Sequence, residues 1–101
     1  MRVFKFGGAS VKDPDSVRNV SRIIRDHHGS GPLVIVLSAM GKTTNALERL
    51  CAFFMEGNKK EMMRVFDQVK EKHFDVCRVL FPDSSHPVFK EVEQLFYNLN
   101  Y

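Results

Sequence analysis

The sequence predicts an α/β fold: a parallel β-α-β unit over about residues 1–45, followed by a helical lobe over about residues 46–101. Three observations carry this. Two short apolar runs, Arg2–Phe6 and Leu33–Ser38, flank a stretch with helical periodicity. Each run ends in a loop of small residues, Gly7-Gly8-Ala9-Ser10 after the first and Ser38-Ala39-Met40-Gly41 after the second. Beyond Asn45 the apolar spacing settles at three and four, with no further strand pattern.

Each element follows from its residues. Arg2–Phe6 alternates, with Val3 and Lys5 on one face and Phe4 and Phe6 on the other, as a strand does. Gly7-Gly8 is read as a turn using positive φ, with no Cβ to keep a ligand from the amides. Asp13-Pro14 reads as an N-cap followed by proline at the first helical position. Val17, Val20, Ile23 and Ile24 carry that helix to about His27, and Gly29-Ser30-Gly31-Pro32 stops it. Leu33–Ser38, with β-branched Val34, Ile35 and Val36 at its centre, is a continuous strand-forming run, expected to be buried on both faces of a parallel sheet.

Asn45–Met55 reads as a helix with Leu47, Leu50, Cys51 and Phe54 on one stripe, closed by Gly57-Asn58. Lys59–Phe81 reads as a longer helix with Met62, Phe66, Val69, His73, Val76 and Leu80 inward. Pro82-Asp83-Ser84-Ser85 stops it. A last helix, Pro87–Leu99, turns Val88, Val92, Leu95, Phe96 and Leu99 inward. Two parallel strands make a poor sheet alone, and the chain stops on Asn98–Tyr101 without a cap. The expectation is therefore the N-terminal portion of a longer protein.

Composition narrows the function classes. With 101 residues, 44% hydrophobic and 27% charged, the chain has ordinary globular composition. Its 15 basic and 12 acidic residues are evenly scattered and leave +3, too mild a balance to argue for nucleic acid. The apolar run Leu33–Leu37 is far shorter than the ~20 residues of a membrane span, and no other apolar run comes near that length. No signal-peptide pattern opens the chain. Cys51 and Cys77 lack CxxC spacing and are read as buried thiols in a reducing compartment. The expected setting is soluble and cytoplasmic, with neither nucleic acid nor membrane as partner.

The chemistry concentrates on two loops. In open α/β sheets ligands bind at the carboxyl ends of strands, and both small-residue loops fall there. A lysine beside a double glycine suits a phosphate, although a solvated strand lysine and a plain tight turn fit the same residues. Ser38 through Asn45 offers hydroxyls, amides and Lys42 at the positive end of a helix. Thr43 or Thr44 would equally serve as its N-cap. Gly41-Lys42-Thr43 imitates the end of a Walker A loop, but the required earlier glycine is Val36. His73 reads as a satisfied core histidine, and His27-His28 as helix C-terminal groups. Phe54, Met55, Met62 and Met63 read as packing. No metal-ligand run stands out.

Lys5-Phe6-Gly7-Gly8-Ala9-Ser10-Val11 resembles the KFGGTSV signature that opens aspartokinases. Val34–Gly41 through Thr44-Asn45-Ala46-Leu47 resembles their second loop, VVxSAM…G…T(N/D)xL, in the same order and at the same distance. The resemblance implies the amino-acid kinase (carbamate kinase-like) fold, an αβα sandwich around a mainly parallel sheet. It implies transfer of the γ-phosphoryl group of MgATP to the side-chain carboxylate of L-aspartate, the entry to lysine, threonine, methionine and isoleucine synthesis. By the same resemblance Lys5 is the catalytic cation and phosphate ligand, and Gly7, Gly8 and Ser10 bind ATP phosphates. Ser38 and Thr44 lie near aspartate, and Mg2+ is held mainly through ATP. Ala9 departs from the signature threonine and removes one hydroxyl.

The family's aspartate clamp, nucleotide-base pocket and regulatory ACT domains are expected beyond residue 101, so this chain alone is expected to be inactive. The full-length protein is expected to be a homo-oligomer, and the unpaired strands of this chain are expected to drive self-association. Two other readings remain. One is another amino-acid kinase, of the glutamate, acetylglutamate or uridylate type. The other is a helical interaction module in which the glycine corner is purely structural.

Overall fold

The computed structural model describes residues 1–99; Asn100 and Tyr101, part of the uncapped end noted above, lie outside the described residues. The element order is β1 (Arg2–Phe6), a single 3-10 turn (Gly8–Val11), α1 (Pro14–His27), β2 (Leu33–Leu37), α2 (Thr43–Met55), α3 (Lys59–Leu80) and α4 (Val88–Leu99). The 3-10 turn is an addition to the sequence expectation, and α2 starts two residues earlier than its periodicity indicates. The chain divides into two compact units, residues 1–45 and 46–101.

In the first unit β1 and β2 pair in parallel, with Arg2 opposite Leu33, Lys5 opposite Val36 and Phe6 opposite Leu37. Asp13 caps α1 by accepting a 2.8 Å hydrogen bond from the Ser16 N–H, and Pro14 follows where its missing donor costs nothing. At the other end His28 meets the Ile24 and Arg25 carbonyls through Nδ1. Gly29, at φ +71°, then turns the chain, and the Arg2 guanidinium lies against it. Val11 and Val20 are the buried hydrophobic residues here.

The expectation that β2 is buried on both faces does not hold. Val34, Ile35, Val36 and Leu37 are 41–57% exposed. The reason is geometric: in a sheet of order β1-β2 each strand has a neighbour on one edge only, so neither face is broad enough to be sealed.

In the second unit the core forms between α3 and α4, with Phe66, Val69 and Phe96 packed against Leu50, Met63 and Val92. Phe66 meets Phe96 edge to face with centroids 5.9 Å apart, an arrangement favoured by the ring quadrupoles. His73 is satisfied as expected: Nδ1 lies 2.7 Å from the Val69 carbonyl, and the ring packs on Phe96. Asn58 caps α3 through the Glu61 N–H, and Gly57, at φ +71°, makes the turn into it.

Several side chains depart from their expected positions. Val65 and Phe74 are buried although the periodic reading of α3 omits them, while Leu95 and Leu99 are 67% and 60% exposed. Cys51 is exposed and Cys77 only partly buried, so neither is the fully buried thiol expected. Burial still pushes the Cys77 thiol up from its ordinary pKa, against the opposing pull of Arg78. Phe54, Met62 and Met63 line an open apolar groove of about 400 Å3 between α2 and α3, and Met55 faces solvent. No helix among the described residues is long and apolar enough to cross a membrane.

The Asp13 cap makes a pH-dependent prediction. Hydrogen bonds from Ser16, aided by the Lys12 charge, hold its carboxyl below the ordinary aspartate pKa. A carboxylate depressed in the folded state stabilises above its unfolded pKa, and that stabilisation is lost as pH falls through the folded value. Asp13→Ala should lower the thermal midpoint at neutral pH. Its deficit should vanish in acid, which parallel melts of both proteins at several pH values will measure.

Candidate functional site

The candidate site is the carboxyl edge of the β1-β2 pair, wholly within the first unit. The strand ladder continues past both strand ends: Ser38 N–H donates to the Phe6 carbonyl at 3.0 Å, and Gly41 N–H to the Gly8 carbonyl at 3.3 Å. The first holds the start of the Ser38–Lys42 loop to the end of β1, and the second stitches that loop to the Gly7–Ser10 loop.

The glycine pair acts differently from the sequence expectation. Neither residue uses positive φ; in this corner that conformation belongs to Gly41, at φ +50°. Gly7 is extended, at φ −78° and ψ 176°. A Cβ on Gly8 would lie 3.2 Å from the Ala39 carbonyl oxygen and 3.3 Å from that of Gly41. A side chain at Gly8 would press these two carbonyls back by a few tenths of an ångström, so glycine suits the close approach of the two loops. A Cβ on Gly7 would meet nothing within 4 Å. Among the described residues no backbone acceptor takes the Gly7 or Gly8 N–H.

The other predicted site residues are spread around this corner. Ser38 lies beside Gly8, its Oγ 3.8 Å from where a Gly8 Cβ would sit. Lys5 is exposed on β1, beside Val36 and one residue short of the strand end. Ser10 donates its N–H to the Gly7 carbonyl at 3.0 Å. It also lines a cavity of about 420 Å3 with Phe6, Lys12, Asp15 and Val20, which Gly8 and Ser38 do not reach. Thr44 is exposed as the second residue of α2.

Thr43 is where sequence reasoning fell short. It is buried, and its hydroxyl donates to the Met40 carbonyl instead of accepting from the helix as a cap would. The sequence signal was a pair of threonines at a helix start, which does not say which one turns inward.

Charge at this edge is unbalanced. The carboxylates of residues 1–45 are engaged: Asp13 with Ser16, Asp15 with Arg18, and Asp26 with Arg22 and Arg25. Lys5 and Lys42 pair with no carboxylate among the described residues. Two uncompensated ammoniums on a chain segment with undonated amides suit an anion, and the room at Gly7 suits phosphate oxygens approaching the backbone. Among the described residues no group of three or more His, Cys, Asp or Glu is placed to hold a metal.

Comparison with known proteins agrees with the motifs. The sequence profile of the amino acid kinase family matches residues 1–86. The aspartokinase of Chlamydia trachomatis is 30% identical over 94 residues, covering 93% of this chain and 20% of that protein. The chloroplastic aspartokinase 2 of Arabidopsis thaliana is 51% identical over 45 residues, or 45% of this chain and 8% of that protein. An aspartokinase from a Bacillus species is 46% identical over 46 residues, covering 45% of this chain and 11% of that protein. No solved structure matches. The chain belongs to the amino acid kinase family. It spans a fifth or less of the length of these relatives.

Proposed function

We propose that this chain is the phosphate-holding corner of an aspartate kinase, which transfers the γ-phosphoryl group of ATP to the side-chain carboxylate of L-aspartate. The observation that carries the reading is the stitched loop pair, with undonated glycine amides on one side and Ser38 on the other. The aspartokinase relatives and the two signature motifs support the same substrate.

Phosphoryl transfer needs little covalent help from a protein, since positioning and charge stabilisation supply most of the effect. Lys5 neutralises charge spreading over the equatorial oxygens. Gly7 and Gly8 donate backbone N–H groups to the phosphates, and Ser10 holds the turn beside them. Ser38 and Thr44 orient aspartate. ATP brings Mg2+ on its own phosphates. The rest of the αβα sandwich and the acidic and arginine groups that clamp aspartate belong to further chain, and the whole protein works as a cytoplasmic homo-oligomer.

The test is made on the full-length protein. With ATP and hydroxylamine present, aspartate should yield aspartyl hydroxamate, while glutamate yields at most a few per cent as much. Equal hydroxamate from glutamate, or none from aspartate, would overturn the substrate assignment.

A further inference from the structure

The two loops of the corner are joined through one peptide unit that is held at both ends. The Met40 carbonyl and the Gly41 N–H belong to the same trans peptide plane, so they point in opposite directions. The N–H donates to the Gly8 carbonyl at 3.3 Å. The carbonyl accepts twice from Thr43, from its N–H at 3.0 Å and from its hydroxyl at 2.5 Å. Thr43 is 9% exposed and is the buried polar residue of the described chain.

We propose that Thr43 is a positioning residue: its hydroxyl locks the Met40–Gly41 peptide plane and so sets the Ser38–Lys42 loop against Gly7 and Gly8. The consequence for catalysis rests on the phosphoryl-transfer reading above, whereas the locking itself does not.

The physical case has three parts. A peptide plane turns through the ψ before it and the φ after it, and here the following residue is Gly41, with no Cβ to resist rotation. Local geometry alone would leave this plane loose. The Thr43 N–H holds the carbonyl as in any helix entry, but the hydroxyl adds a second donor from a buried site, where little water competes. Finally, the plane's other end is the bond to Gly8, the residue whose missing Cβ lets the loops touch. Rotation of the plane would weaken that bond and shift Ser38 relative to the glycine amides. A displacement of about an ångström matters when a reaction depends on alignment.

The experiment uses the full-length protein with Thr43→Val, which keeps the β-branched shape without the hydroxyl, and Thr43→Ser, which keeps the hydroxyl. Thr43→Ala is a second hydroxyl-free variant should valine impair folding. Hydrogen exchange at the Gly41 amide is read beside steady-state kinetics. Valine should speed Gly41 exchange by about ten-fold or more while the Val20 amide in α1 is unchanged. It should also lower kcat about ten-fold, with KM for ATP and aspartate within about a factor of three, and serine should restore both readouts. Unchanged Gly41 exchange in the hydroxyl-free variants, or serine as impaired as valine, would overturn the proposal. If exchange responds to the hydroxyl but the wild-type protein forms no acyl phosphate, the locking role stands and the phosphoryl-transfer reading fails.

Discussion

Lys5→Ala in the full-length protein should lower aspartyl phosphate formation by about a hundred-fold or more, mainly in kcat. A unit charge about 4 Å from a developing negative charge is worth roughly 4 kcal/mol at an effective dielectric near 20, or about three powers of ten in rate. Lys5 is exposed, so solvent screens part of this, and a hundred-fold is the appropriate lower figure. The fold should not suffer. Lys5 makes no ion pair among the described residues, and exposed substitutions away from special contacts usually change stability by under about 0.5 kcal/mol. Thermal melts and the hydroxamate assay on one preparation separate the two effects. Near-normal turnover with an intact fold would remove Lys5 from the reaction.

Alanine at the two adjacent glycines should damage the protein in opposite ways. At Gly8 the new methyl would sit 3.2 Å and 3.3 Å from two backbone carbonyl oxygens, which cannot rotate aside as a side chain could. Forced separation of the loops should cost roughly 1–3 kcal/mol of stability. At Gly7 the methyl meets nothing within 4 Å, and φ −78° is open to any residue. Gly7→Ala should therefore fold as well as the wild type, or up to about 1 kcal/mol better because its unfolded chain is stiffer. It should nevertheless raise KM for ATP, since the methyl occupies the approach to the Gly7 and Gly8 amides. Urea unfolding and ATP titration of both variants make the comparison. A Gly7→Ala protein with unaltered ATP affinity would mean that phosphate does not approach there. A fully stable Gly8→Ala protein would mean that the loops do not depend on this contact.

The contrast between these glycines shows how far local sequence carries the fold. Asp13-Pro14, Gly29 and Gly57-Asn58 bound their helices through signals contained within a few residues, so their positions were legible from the sequence. The parallel strands Arg2–Phe6 and Leu33–Leu37 were legible for the same reason, from short apolar runs separated by a helix. Burial was less legible, because it depends on what covers an element. Leu33–Leu37 has the composition of an interior strand, yet it is exposed in a sheet with one neighbour per strand. Val65 is fully buried although the stripe read from α3 passes it by.

At the candidate site the sequence determined by itself which residues are present: Lys5, the glycine pair, Ser38 and the threonines, in an order that marks the amino acid kinase family. Local physics was enough for this, because strand ends and small-residue loops are written in neighbouring residues. Only the tertiary structure decided what each residue does in the corner. It assigned positive φ to Gly41, close approach to Gly8 and open space to Gly7. It also turned Thr43 inward and left Thr44 exposed. Those roles come from two loops, about thirty residues apart along the chain, meeting across a strand ladder. A contact between distant backbones has no signature in either loop alone.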